Sequence, residues 1–279
     1  MRKSDKSLED FSFKTLIVAF VNITYLPIFE IWYNYFKQYR LPNFLAISLD
    51  KKMHSVLDDL GIKNIMLPMA GFDKFLSKKI YNREEMSNLS DLWDLKMQII
   101  RKIINGGTNL LYCDTDAFWL KNIYPLVENS RYDISASISY HSPLNVVEKW
   151  GFVLNCGFLM IRSNTYTKIF IKELMEFLSE EPFYDDQNGL NRFLLQNNTE
   201  WKKDSNVENE GYVKRFKIKI KAISDNIISR EPKNGVYVYH PFIEGDMDKK
   251  LNFVKEKLTL LESKSNTDNF HRKVESDTL

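Results

Sequence analysis

The chain is predicted to fold as an α/β protein with a mixed, mainly parallel sheet flanked by helices, and three observations carry that expectation. Apolar runs of strand length alternate with periodic stretches of helix length through the first part of the 279 residues, the order that parallel βαβ units produce. The apolar run from Asn109 to Cys113 enters directly into Asp114-Thr115-Asp116, and the carboxyl end of a buried strand is where an open α/β sheet binds its ligands. With 44% hydrophobic and 14% aromatic residues, the chain can bury a full core as one large domain or two tightly joined halves.

Taken in order, Thr15 to Val21 is an unbroken apolar run that reads as a buried strand, and Tyr25 to Tyr39 carries aromatics at helical spacing. Asn43 to Leu49 is a second strand, Lys51 to about Leu60 a helix, and Asn64 to Leu67 a third strand. Met69 to Glu85 has no clear period and reads as a surface excursion. Leu92 to Ile104 is amphipathic and stops at Asn105-Gly106-Gly107, a helix-ending signal, before the strand that leads to the aspartates. Beyond them come a strand over Ile134 to Ser139, an aromatic loop over Tyr140 to Trp150 and a strand over Asn155 to Ile161. A helix capped by Ser163-Asn164 runs to about Ser179, and Asp185 opens another to about Gln196. Thr199 to Gly211 is polar and reads as a loop. Val213 to Ile223 alternates strictly, with Arg215, Lys217, Lys219 and Lys221 on one face; it reads as a half-buried strand whose lysines form a charged edge that blocks strand addition. An acidic acceptor docking on that row is the other reading. A short strand follows at Val236 to Tyr239, and the polar tail after about Glu262 reads as frayed.

Charge and cysteine usage narrow the function. Thirty-nine basic against 37 acidic residues give a net charge of +2, too balanced to indicate nucleic acid. The longest apolar stretch, Thr15 to Val21, is too short to cross a bilayer, and the Met-Arg-Lys-Ser-Asp-Lys start lacks the apolar core of a signal peptide. The expectation is a soluble, cytoplasmic protein without a transmembrane segment, for which peripheral membrane contact stays open. Cys113 and Cys156 are expected as small buried thiols rather than a disulfide.

The chemistry starts from the aspartates. A strand period of two presents Asp114 and Asp116 to one side, and two adjacent carboxylates repel unless something positive shares them. A hard divalent cation that also carries a substrate's phosphates is the natural partner, although the tripeptide alone also reads as an ordinary polar turn. Five further landmarks surround it in order: Val21-Asn22-Ile23-Thr24-Tyr25 after the first strand, Lys96 in the preceding helix, Leu154-Asn155-Cys156-Gly157-Phe158, Asp185-Asp186-Gln187 with Asn191, and His240 followed by Gly245 and Lys249-Lys250. Together with Leu111 to Asn122, these resemble the GT-A glycosyltransferases, in particular the nucleotide-diphospho-sugar transferase family and, more distantly, the glycogenin-like family, over roughly Thr15 to Lys250.

The resemblance implies a single GT-A (Rossmann-like) domain over residues 1–262, with a nucleotide-binding half at about 13–122 and a sugar and acceptor half at about 123–250. It implies that Tyr25 stacks on the base with Asn22 near it, that Lys96 lies by the donor phosphates, and that Asn155 and Gly157 border the donor sugar, with Cys156 where relatives have serine. Asp186 and Gln187 would lie beneath the sugar as the catalytic pair. Asp114, Asp116 and His240 would hold Mn²⁺, or Mg²⁺ in its place, with Lys249 or Lys250 on the diphosphate. The implied activity is metal-dependent transfer from a nucleotide sugar, a UDP-sugar first, to a glycan, lipid-linked glycan or protein, with retention of configuration.

Plainer readings stand beside these. His240 could be a surface residue, Lys96 a solvated one, Tyr25 the start of an aromatic core face, and Asp185 or Asp186 a helix cap. The competing functions are a nucleotide-sugar or glycan-binding module without turnover and a phosphohydrolase using Asp-x-Asp. The latter is disfavoured because its motif belongs on the opening strand and wants Thr or Val where Phe118 stands.

Overall fold

A computed structural model describes residues 14–67, 83–180, 185–203 and 209–276, so the excursion expected over Met69 to Glu85 lies, up to residue 82, outside the described residues. The strands are β1 (Thr15–Val21), β2 (Phe44–Ser48), β3 (Asn64–Met66), β4 (Asn109–Cys113), β5 (Phe118–Trp119), β6 (Ile134–Ser139), β7 (Val153–Ile161), β8 (Glu200–Lys203), β9 (Asn209–Val213), β10 (Ile218–Ile223), β11 (Ile228–Ser229) and β12 (Val238–Tyr239). The helices are α1 (Leu26–Lys37), α2 (Lys51–Asp59), α3 (Arg83–Asn105), α4 (Tyr124–Glu128), α5 (Leu144–Trp150), α6 (Thr165–Glu180), α7 (Asp186–Gln196) and α8 (Met247–Ser276). Among the described residues the main sheet runs β3-β2-β1-β4-β7-β6-β10-β9-β8, with a small sheet β11-β12-β5 beside it. In the main sheet β7 pairs antiparallel with both β4 and β6, and β9 antiparallel with β8 and β10, while its remaining pairs are parallel; in the small sheet β12 is parallel to β11 and antiparallel to β5. The α/β class and its mixed sheet flanked by helices are as expected, with four parallel and four antiparallel pairs in the main sheet.

Alternation within each strand feeds two cores, one on each face. From β1, Leu16 and Val18 enter one core while Ile17, Ala19 and Val21 enter the other. The first core is closed by Met97, Ile100, Ile103 and Ile104 of α3 and by residues of α6 and α7. The second is closed by Ile28, Phe29, Trp32 and Phe36 of α1, Met53 and Leu57 of α2, and Val254, Leu258 and Leu261 of α8. Trp32 lies flat on Phe36, with centroids 4.9 Å apart, and its indole Nε1 donates to the Ala117 carbonyl at 2.9 Å. The core thereby holds the chain directly after the two aspartates. No described helix is long and apolar enough to cross a membrane.

Four expectations are corrected. The loop over Tyr140 to Trp150 contains α5, and the polar stretch Thr199 to Gly211 contains β8 and the start of β9. Val213 to Ile223 is not one strand: the chain turns between β9 and β10 with Lys217 at φ 56. Phe216 keeps the alternation because it is buried from within the turn, with Phe170 edge-on at 5.3 Å. Of the basic row only Lys219 and Lys221 lie on β10, which is paired on both sides, while Arg215 and Lys217 fall in the turn, and the sheet edge on this side is β8. Finally, the polar tail after Glu262 continues α8 to Ser276 rather than fraying.

Trp32 provides a stability test. Trp32→Phe retains most of the apolar volume and leaves the Ala117 carbonyl with only the weak Cys113 thiol as donor, so it should cost about 1–2 kcal/mol in urea unfolding. Trp32→Ala should cost about 3–5 kcal/mol.

Candidate active site

β4 ends at Cys113, and Asp114 to Asp116 form the turn after it: the Asp114 amide donates to the Gly157 carbonyl at 2.7 Å, and the Ala117 amide donates back to the Asp114 carbonyl at 3.1 Å. The two carboxylates share a side because of this turn, not through strand alternation. His240 meets them from the small sheet. Tyr239 of β12 pairs with Phe118 of β5, and the His240 amide donates to Ser229 at 2.8 Å. Its Nε2 thus stands 3.7 Å from Asp114 Oδ2 and 3.4 Å from Asp116 Oδ1. One ligand atom from each of the three lies within 4.8 Å of the others. Two carboxylates and an imidazole make a donor set that fits a first-row divalent cation.

An irregularity in β7 lets the backbone reach this cluster. Its pairing with β6 jumps from Ala136↔Leu159 to Ser137↔Asn155, so residues 156–158 bulge from that ladder. Asn155 Oδ1 accepts the Gly157 amide at 2.9 Å and fixes the bulge. A side chain at Gly157 has no room: a Cβ would lie 2.2 Å from His240 Cε1 and 2.3 Å from Asp114 Oδ2.

On the other side of the bulge, Lys96 forms a buried ion pair with Asp186, donates to the Cys156 carbonyl at 3.3 Å and lies 3.7 Å over the Tyr112 ring. Burial works against its charge, but Asp186 and Asp114 outweigh it and hold the ammonium above its usual pKa. The Asp185 side chain caps α7 by accepting the Asn188 amide, which frees Asp186 to face the cleft. Fully buried Asn191 bonds both backbone groups of Leu154, at 2.8 Å and 2.7 Å, and so anchors α7 to β7. Gln187 accepts from Asn155 Nδ2 at 2.7 Å and donates to the Ser142 carbonyl at 2.9 Å. The aspartate pair is electrostatically split. Burial, together with the charge of Asp116, keeps Asp114 above the usual carboxylate range despite Lys96 and His240. For Asp116, His240, Arg230 and Lys250 overcome burial and hold the carboxyl below that range.

Lys96, Asp114, Asp116, Asn155, Gly157, Asp186 and Gln187 line a cleft of about 420 Å³. Phe20, Tyr25, Leu49, Leu92 and Trp93 line the rest with apolar surface. Of the residues picked out in the sequence, Asn22, Tyr25, Lys96, Asp114, Asp116, Asn155, Gly157, Asp186, Gln187 and Lys250 all line it. Asn22 does so as a cap whose Oδ1 accepts the Tyr25 amide at 3.0 Å, and Tyr25 OH accepts from Lys250 Nζ at 2.8 Å. His240 is buried behind the aspartates. Lys249 points away, with Nζ 3.6 Å from Asp246 and a side chain 69% exposed, which leaves Lys250 as the lysine in the cleft. Three residues escaped the sequence reading. Tyr112 donates to Asp114 Oδ1 at 2.5 Å, Arg230 Nη1 donates to the Pro241 carbonyl at 3.2 Å while its charge reaches Asp116, and Trp93 joins the apolar wall. Trp93 was findable, since it lies one helical turn before Lys96 on the same face; Arg230 carried no local signal.

Gly157→Ala tests the packing of the cluster. The added methyl must displace Asp114 or His240, so Mn²⁺ affinity measured by calorimetry on the folded variant should fall about tenfold or more.

The comparisons with known proteins agree with this geometry. Residues 40–254 match the family model described as nucleotide-diphospho-sugar transferase. Among curated relatives from Arabidopsis thaliana, beta-arabinofuranosyltransferase RAY1 is 26% identical over 191 residues, 63% of this chain and 33% of that protein. Arabinosyltransferase XEG113 is 25% identical over 188 residues, 64% of this chain and 28% of that protein. The chain spans about a third of the length of these relatives. The crystal structure of the galactosyltransferase LgtC with donor and acceptor sugar analogues superposes with a TM-score of 0.53 at 13% identity, covering 88% of this chain and 95% of that one. The shared fold is GT-A, and the match over residues 40–254 places this chain in the nucleotide-diphospho-sugar transferase family.

Proposed function

We propose that the chain is a metal-dependent glycosyltransferase that takes a sugar from a nucleotide-sugar donor, a UDP-sugar first, and passes it to a hydroxyl acceptor. The observation that carries this reading is the Asp114, Asp116 and His240 cluster, whose two aspartates line a cleft that Tyr25, Trp93 and two lysines also line. Those three side chains would hold Mn²⁺, with Mg²⁺ as substitute. When bound, the cation offsets the negative charge that gathers on the departing diphosphate. Tyr25 and Trp93 supply flat apolar surface for the base, and Lys96 and Lys250 supply positive charge for the phosphates. Asn155 and Gln187 orient sugar hydroxyls from a network fixed on the backbone.

In the transfer, the acceptor oxygen bonds to the anomeric carbon and the carbon–oxygen bond to the diphosphate breaks, its electron pair leaving with the diphosphate. The hydroxyl proton passes to the same leaving group. Asp186, held against Lys96, steadies positive charge on the sugar rather than attacking it, which favours retention. Because two relatives carry arabinosyltransferase names, UDP-arabinose belongs with UDP-hexoses among the donors to be tried.

Calorimetry should show UDP binding much more tightly with Mn²⁺ than with EDTA, and release of UDP from one member of a UDP-sugar panel should stop on chelation. Asp116→Ala should abolish both, and metal-independent binding would refute the metal role. Asp186 separates sugar chemistry from metal binding. Asp186→Ala strands a buried ammonium and should destabilise the fold by about 3–5 kcal/mol. Asp186→Asn keeps the shape. It should lower kcat by about 10²-fold with UDP and Mn²⁺ affinity within a few fold, and normal turnover would remove Asp186 from the mechanism.

A further inference from the structure

Two of the most exposed large apolar side chains stand on segments tied to the site. Phe242, 63% exposed, lies two residues after His240, on backbone held by the bond from Arg230 to the Pro241 carbonyl. Tyr140, 51% exposed, and the exposed His141 follow β6. The next residue, Ser142, accepts Gln187 Nε2 through its carbonyl at 2.9 Å and donates from Oγ to Asn188 Oδ1 at 3.1 Å. The segments meet where the His141 and Phe242 rings approach to 6.2 Å between centroids, with their planes 35° apart. Aromatic rings left in water on pinned backbone mark a binding surface. A charged rim borders it: Lys233 pairs with Asp225 at 2.7 Å, and burial together with the Asp225 carboxylate raises the Tyr140 hydroxyl pKa against the pull of Lys233.

We infer that His141, Phe242 and Tyr140 form the acceptor platform and that its occupant is a saccharide, stacked by an apolar CH face on the rings with its hydroxyls turned to Asp225 and Lys233. The inference rests on the glycosyltransferase reading and names the acceptor class for it. A sugar ring is apolar on its face and hydroxylated around its edge, which matches flat rings with a polar rim. An alkyl chain would cover the ion pair without offering it hydrogen bonds, at a desolvation cost. An extended peptide would want a free strand edge, whereas β6 is paired on both sides by β7 and β10. Continuity with the site comes through Gln187, which bonds both Ser142 and cleft-lining Asn155.

The test is saturation-transfer NMR on the full chain with methyl glycosides of common hexoses and pentoses, a Ser/Thr peptide and dodecylphosphocholine. At least one glycoside should bind, and Phe242→Ala and His141→Ala, both at exposed positions and folded by circular dichroism, should each bind it about tenfold more weakly. In turnover, the same variants should raise the acceptor KM with donor KM within twofold. No bound glycoside, unchanged binding by Phe242→Ala, or a Phe242-dependent signal only from the peptide or the alkyl chain would overturn the platform. Calorimetry of UDP with Mn²⁺ is read separately, so a wild-type chain that binds a glycoside but not UDP would refute the donor reading and leave the platform standing.

Discussion

Two carboxylates confined at the end of one strand repel each other, and much of the structure around Asp114 and Asp116 answers that repulsion. Four cationic or ionisable side chains converge on them from separate segments: Lys96 on α3, Arg230 after β11, His240 after β12 and Lys250 on α8. None of these is a sequence neighbour of the aspartates, so each must be carried in by its own structure. The small sheet illustrates the point. Its three two-residue strands are fully buried, and pairing β12 between β11 and β5 fixes His240 and Arg230 against the turn that β5 follows.

The same requirement explains the irregular part of the main sheet. A regular β7 would run past Asp114 with a full ladder on each side. Instead residues 156–158 leave the β6 ladder, the Gly157 carbonyl receives the Asp114 amide, and the Cys156 carbonyl receives Lys96. One bulge thus feeds both the aspartate turn and the lysine. Cys156 contributes through its backbone carbonyl here, and its buried thiol is pushed upward in pKa by burial and then by Asp186.

What could be read in the sequence were features that local pattern encodes. The apolar run before Asp114, the helix carrying Lys96 and the capping residue before α7 are consequences of strand burial, helical periodicity and N-cap chemistry, and all are where the pattern put them. The choice between Asp185 and Asp186 was open in the sequence and is decided by geometry, since only one of two adjacent residues can cap. The choice between Lys249 and Lys250 depends on the phase of α8, whose start is fixed by Gly245 at φ 108 and by Asp246 accepting the Lys249 amide. The β9–β10 hairpin was hidden because Phe216 stays buried inside the turn, preserving the alternation of a strand that is not there. Arg230 acts through tertiary approach alone, and no spacing announces it; Tyr112 lies only two residues before Asp114.

The charge arrangement also orders events in the cleft. Lys96 is already committed to Asp186, and Lys250 to the Tyr25 hydroxyl, so neither cation faces the cleft unengaged. A diphosphate entering the proposed site would meet Asp114, Asp116 and Asp186 across the same space, and in a partly buried cleft like charges are weakly screened. His240 is buried against the aspartates, and it and Arg230 both act to lower the Asp116 pKa. The excess negative charge is therefore on the cleft side, where a divalent cation can lie between carboxylates and phosphates. On the proposed reading, the residues that would hold the cation are the ones that would otherwise repel the nucleotide.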